Sequence, residues 1–132
     1  MIAAGIGCTS TCAASDIAQA LTLSLRAAQR ELGQVTVLCA PSFKHGQPSL
    51  EQAARELGLR MVFVSDEQLR AQAALALTRS ERALERAGVP SVAETAALAG
   101  ASDLGRGPAR LLGPRSIYGG ATCALASLEG DP

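Results

Sequence analysis

Three short apolar runs, set apart by helix-length amphipathic stretches, constrain this chain more than any other feature. They are Ile2–Ile6, Val35–Ala40 and Met61–Val64. The first is too apolar on both sides for an edge strand and belongs in the middle of a sheet. Between the first two runs, Ile17, Leu21, Leu25, Ala28 and Leu32 recur every three or four residues and define one buried helical face. Ser15 is the expected N-cap of that helix, Asp16 complements its dipole, and Gly33 ends it. Ser49-Leu50-Glu51-Gln52 has the S-x-x-Q form of a capping box and predicts a shorter helix closed by Gly58. Strand, helix, strand, helix, strand at this spacing requires crossover connections, and so a parallel sheet with helices on its faces.

The pattern continues less regularly. Ser65-Asp66-Glu67-Gln68 is a second capping box, and the stretch 69–87 favours helix, broken near Thr78–Ser80 and stopped at Gly88. Ser91-Val92-Ala93-Glu94 is a third box that predicts a helix to about Ala99, and Gly100–Pro108 has the composition of an exposed loop. Two further apolar runs, Ala109–Gly113 and Ala121–Leu128, are joined by the seven residues PRSIYGG. A connection that short cannot cross over, so these runs are expected to be antiparallel neighbours. The expected fold is a three-layer α/β/α domain over 1–132, with a mostly parallel sheet of about five strands and a C-terminal antiparallel pair.

Composition removes several classes of function. Aromatic residues are 2% of the 132, which leaves little with which to stack bases. Basic and acidic residues are equal at 12 each, and no basic block offers a phosphate backbone a clustered positive face. Nucleic acid is therefore not an expected partner. Apolar runs fall well short of the ~18 residues of a spanning helix, and no basic segment precedes the apolar N-terminus. No membrane association is expected, and a cytoplasmic setting is. Of the cysteines, Cys39 and Cys123 lie in apolar runs as small buried hydrophobes, while Cys8 and Cys12 lack the partners of a zinc site. Neither a metal nor a cofactor is predicted.

Chemistry is expected where strands end and helices begin, because helix N-termini present unpaired N–H groups there. Gly5 and Gly7 stand in such a turn, either to permit it or to let a ligand approach. Ser10 replaces the third glycine of a dinucleotide fingerprint, and no acid follows the second strand, which argues against NAD or FAD. Cys8, Thr9 and Ser10 border the same turn, and the hydroxyls of the Thr9-Ser10-Thr11 run serve either an anion or an elaborated N-cap. Lys44, the only lysine, and His45, the only histidine, follow the second strand, and Ser65 follows the third. They are candidates for the same edge, with solvated loop positions as the alternative. PRSIYGG adds Arg115, Tyr118, Gly119 and Gly120; the tyrosine either fills a gap or flanks a flat ligand.

Taken together, several of these segments resemble one family. They are the GIGC turn before a helix, the lysine after the second strand, LGLRMVFVSDEQL, GVPSVAETAAL and RLLGPRSIYGGATCALA. In this order they resemble the CobE/CbiG C-terminal domain family of cobalamin biosynthesis. The resemblance implies a role in building the corrin ring. CbiG-type proteins open a lactone on a cobalt-bound intermediate and release acetaldehyde, whereas the stand-alone form belongs to the aerobic route. Its implied ligand is a flat modified tetrapyrrole fringed with carboxylates, and other enzymes of the pathway are its implied partners. Thr9 and Ser10 stand where family members carry basic residues, Gln47 where an acid is usual, and Arg115 where lysine is usual. These departures shift the expectation from catalyst toward binder or carrier. The alternative is a hydrolase in which His45 or an acid activates water and the first helix N-terminus holds the oxyanion.

Overall fold

Successive residues of a strand point to opposite faces, and here the two sets differ in size. On the first strand Ile2, Ala4 and Ile6 face one core, while Ala3 faces a second core made mostly of alanine. A computed structural model of the chain, which describes residues 1–131, resolves this into three layers. The sheet comprises β1 (Ile2–Cys8), β2 (Val35–Pro41), β3 (Arg60–Val64), β4 (Ala109–Leu111), β5 (Ser116–Tyr118) and β6 (Ala121–Leu128). Its order is β3-β2-β1-β6-β4, with β5 paired to β6 beyond β4. β1, β2 and β3 pair in parallel, and β6 runs antiparallel to β1, β4 and β5. Five strands thus point one way and β6 alone returns, which is the mostly parallel sheet with an antiparallel C-terminal part that the sequence predicts. PRSIYGG is more than a connection, since it contains β5 and the Gly119-Gly120 turn of a hairpin.

Helices α1 (Ala14–Ala28) and α2 (Pro48–Leu57) cover the face with the larger side chains, and α5 (Val92–Gly105) covers the other with α3 (Asp66–Ala71). A short α4 (Glu81–Ala87) lies between α3 and α5 in the chain. The break expected within 69–87 is real. Ser80 caps α4 by accepting from Ala83 N at 3.3 Å, and Gly88 ends it at φ 71. The Ser65–Gln68 box forms in both directions, at 2.8 and 3.1 Å.

Other helix ends differ from expectation. α1 begins before Ser15, because Asp16 Oδ2 reaches back to the Ala13 amide at 3.2 Å and caps the end itself. Gln29 rather than Gly33 takes the left-handed position that ends it, at φ 56. At α2, Pro48 presets the first turn, so Gln47 is the N-cap and Gln52 pairs with Glu56 instead of Ser49. Gly100–Gly105 continues α5 instead of forming a loop. Gly100 is a packing residue, since a Cβ on it would run into the Cys39 side chain.

The same holds for Gly5 and Gly7, which lie inside β1 and not in a turn. A Cβ on Gly5 would strike the Ala93 carbonyl and Ala97 nitrogen and come within 2.9 Å of Ala97 Cα. All of these are backbone atoms of α5, which cannot swing aside. Gly5→Ala is therefore expected to cost about 3 kcal/mol or more in a urea unfolding titration, the high end of overpacking. Gly33→Ala, with nothing within 4 Å of the added methyl, serves as the near-neutral control.

Burial pushes the thiols of Cys39 and Cys123 up to about 12 from an ordinary 9.0. The folded state then keeps protons that the unfolded chain gives up. The associated stability is present below about pH 9 and is lost as pH rises toward 12, by up to about 1.4 kcal/mol per pH unit for each thiol. Urea midpoints measured at about pH 8 and about pH 10.5 should fall less for Cys123→Ala than for the wild type.

Candidate functional site

The carboxyl ends of β1 and β2 and the β5–β6 turn meet at one rim of the sheet, where Cys8 stands opposite Ala121. A cleft of about 260 Å³ opens there. The strands contribute Gly7, Cys8, Pro41, Ile117, Ala121 and Thr122, and α5 contributes Val92. Loops add Thr9, Phe43, Lys44, Arg115, Gly119 and Gly120. The fourth wall is α4 with its cap, through Ser80, Arg82, Ala83 and Arg86.

Local folding fixes these positions. Gly7 is bare because Thr122 Oγ1 would lie 2.6 Å from a Cβ there; that hydroxyl donates to the Gly7 carbonyl at 3.3 Å. Thr9 N donates to Gly120 O at 2.9 Å, so the loop after β1 is pinned to the hairpin turn. Its other side is held by Gln47, whose Nε2 donates to Thr9 O at 2.9 Å and Ser49 Oγ at 3.0 Å. Pro41 leads into a 3-10 turn, Ser42–Lys44, that brings Lys44 and Phe43 to the cleft.

The charge distribution is one-sided. Lys44, Arg82, Arg86 and Arg115 line the cleft, and no Asp, Glu or His does among the described residues. None of the four cations forms an ion pair, the only such pairs among the described residues being Met1–Asp131 and Arg79–Glu81. Between them lie apolar surfaces, with Phe43 47% and Ile117 60% exposed. Burial, and then the neighbouring Cys12, push the Cys8 thiol up to about 12 against the opposing pull of Lys44, so it is protonated and a poor nucleophile at neutral pH.

Gly7, Cys8, Thr9, Lys44, Arg115, Gly119 and Gly120, which the sequence singles out, are thus brought together. Five other candidates lie elsewhere. Gly5 is covered by α5, and Ser65 caps α3. Ser10 and Tyr118 are exposed outside the lining. His45 stacks edge-on against Phe63, with ring centroids 4.8 Å apart, and is absent from the cleft. Sequence reasoning missed Arg82 and Arg86. No local signal pointed to them, because Glu81 and Glu85 alternate with them along the same short helix and give it the pattern of an ordinary solvated one.

The chain matches the family described as cobalamin synthesis G C-terminus over residues 2–126. No curated protein matches it. Among solved structures it is similar to CobE, a protein from the cobalamin (vitamin B12) biosynthetic pathway. That likeness has 35% identity and a TM-score of 0.94, over 100% of this chain and 93% of the other. It is also similar to the cobalamin biosynthesis protein chiG from Agrobacterium tumefaciens str. C58, at 36% identity and TM-score 0.74, over 98% and 99% of the two chains. A cobalamin biosynthesis protein G homolog from Sulfolobus solfataricus shares the fold at 21% identity and TM-score 0.68, with 97% of this chain spanning 37% of that longer one. The family match over nearly the whole length and the two likenesses above 30% identity agree: the chain belongs to the CobE/CbiG C-terminal family of cobalamin biosynthesis proteins.

Proposed function

We propose that this protein binds a carboxylate-rich modified tetrapyrrole, a precorrin or corrin intermediate, and carries or presents it to other enzymes of the pathway in the cytoplasm. The observation that carries this reading is the cleft itself, in which four unpaired cations surround an apolar, acid-free surface. Corrin precursors are flat and apolar at the centre, with acetate and propionate carboxylates at the edge. Arginine forks suit such carboxylates in pairs, and a lysine serves as a mobile point charge. Phe43, Ile117 and Val92 give the ring face an apolar surface.

The alternative is lactone hydrolysis with release of acetaldehyde, as the family resemblance also suggests. Hydrolysis needs a base within reach of water. The cleft lining supplies no carboxylate or imidazole, its one thiol is held protonated, and His45 lies outside it against Phe63. Binding without turnover is therefore the better reading.

Anaerobic absorbance titration with isolated corrin-pathway intermediates, and with uroporphyrin as a stable octacarboxylate surrogate, tests it. A spectral shift saturating at one ligand per chain, with no acetaldehyde trapped, is the expected result. Lys44→Ala or Arg115→Ala should weaken binding about tenfold each, the loss of one charge-assisted contact. Affinity should fall as salt is raised, because the cations are solvent-accessible. His45→Ala should leave it unchanged. Catalytic release of acetaldehyde would instead establish the hydrolase.

A further inference from the structure

One buried carboxylate organises the rim of the cleft without lining it. Glu94 is 0% exposed in the first turn of α5. Half of its capping box forms, with Glu94 N donating to Ser91 Oγ at 3.2 Å. The side chain goes elsewhere. Its Oε1 accepts from Leu77 N at 2.8 Å and Thr78 N at 3.0 Å. Its Oε2 accepts from Thr78 Oγ1 at 3.0 Å and Arg115 N at 2.9 Å. Every one of these partners is a neutral donor, and none belongs to α5. They belong to two separate segments: the strap 76–80 that leads into α4 with Arg82 and Arg86, and the β4–β5 connection that carries Arg115.

We infer that Glu94 is a positioning residue for the cleft, joining through its two oxygens the two segments that bear three of the four cations. The inference rests on the polycarboxylate reading of that cleft. Bringing like charges to one rim costs repulsion, and two loops without a common anchor would relax apart. A carboxylate fits the task because both of its oxygens only accept, whereas an amide has a single acceptor atom. A glutamine here keeps an acceptor either for the Leu77 and Thr78 amides or for the Arg115 amide, never for both. Burial keeps the four bonds from being replaced by water, so the tie is made within the protein.

Glu94→Gln tests this through two readouts. Hydrogen exchange should lose protection at Leu77 and Thr78 or at Arg115, and uroporphyrin affinity should fall about tenfold, as when the competent arrangement drops to a tenth of the population. Thr95→Val supplies the control. The Thr95 hydroxyl is buried and donates to Ser91 O at 2.7 Å, with no link to either segment. It should lower the unfolding midpoint and leave affinity intact, and a merely structural Glu94 would do the same when changed to glutamine. In an Arg115→Ala background the Glu94→Gln loss should shrink, because one of the positioned cations is gone. If Glu94→Gln does not fold, Thr78→Val removes a single donor and should still weaken affinity; no change there overturns the inference. Wild-type affinity and exchange in Glu94→Gln overturn it while leaving the polycarboxylate reading intact. If the wild type binds neither uroporphyrin nor a corrin intermediate, that reading fails, and exchange at the three amides alone decides whether Glu94 positions the rim.

Discussion

The backbone of α5 lies directly against β1, and the rest of the structure depends on that approach. It requires Gly5 beneath Ala93 and Ala97, and Gly100 beneath Cys39. It also requires the alanine-rich face formed by Ala93, Ala96, Ala97 and Ala101. On this face a large ring would hold the helix off the sheet, and its core contains no aromatic residue. The other face has no such demand and fills with Ile6, Ile17, Leu21 and Leu38. The close approach also sets the start of α5, bringing Val92 to the cleft and Glu94 under its two loops.

A neutral chain can still present a concentrated charge. The cations of the cleft come from the end of β2, from α4 and from the β4–β5 connection, three places far apart in sequence. Acidic side chains are spent elsewhere: Asp16 on the start of α1, Glu56 on Gln52, and Glu94 on neutral amides. The cleft lining is therefore cationic, although the formal net charge of the chain is zero.

The strands and their pairing were legible in the sequence because apolar runs and connection lengths follow from burial and chain geometry. The box at Ser65, the break before Ser80 and the stop at Gly88 were legible for the same local reasons. Failures came where tertiary contact overrode a local signal. Gly5, Gly7 and Gly100 have the signature of turn or loop residues, yet each is bare because a neighbouring element needs the space. Ser49 has a capping-box pattern, but Pro48 moves the helix start two residues earlier. The first loop, Lys44 and Arg115 were found from their places at strand ends. Arg82 and Arg86 were not, because nothing local ties α4 to that rim.

Gln47 shows why a change that removes a base need not be a simple loss. Where the family resemblance implies an acid, this chain has an amide whose Nε2 donates to the Thr9 carbonyl and to Ser49. An ionised carboxylate has no proton to give and would face the Thr9 oxygen with its own lone pairs. The amide therefore holds the first loop in place while adding no negative charge beside Lys44 and Cys8. A site that must attract several carboxylates gains from that neutrality, and a site that must activate water does not. The amide thus ties the first loop without adding charge there, which fits the proposed binding of a polyanion better than its cleavage.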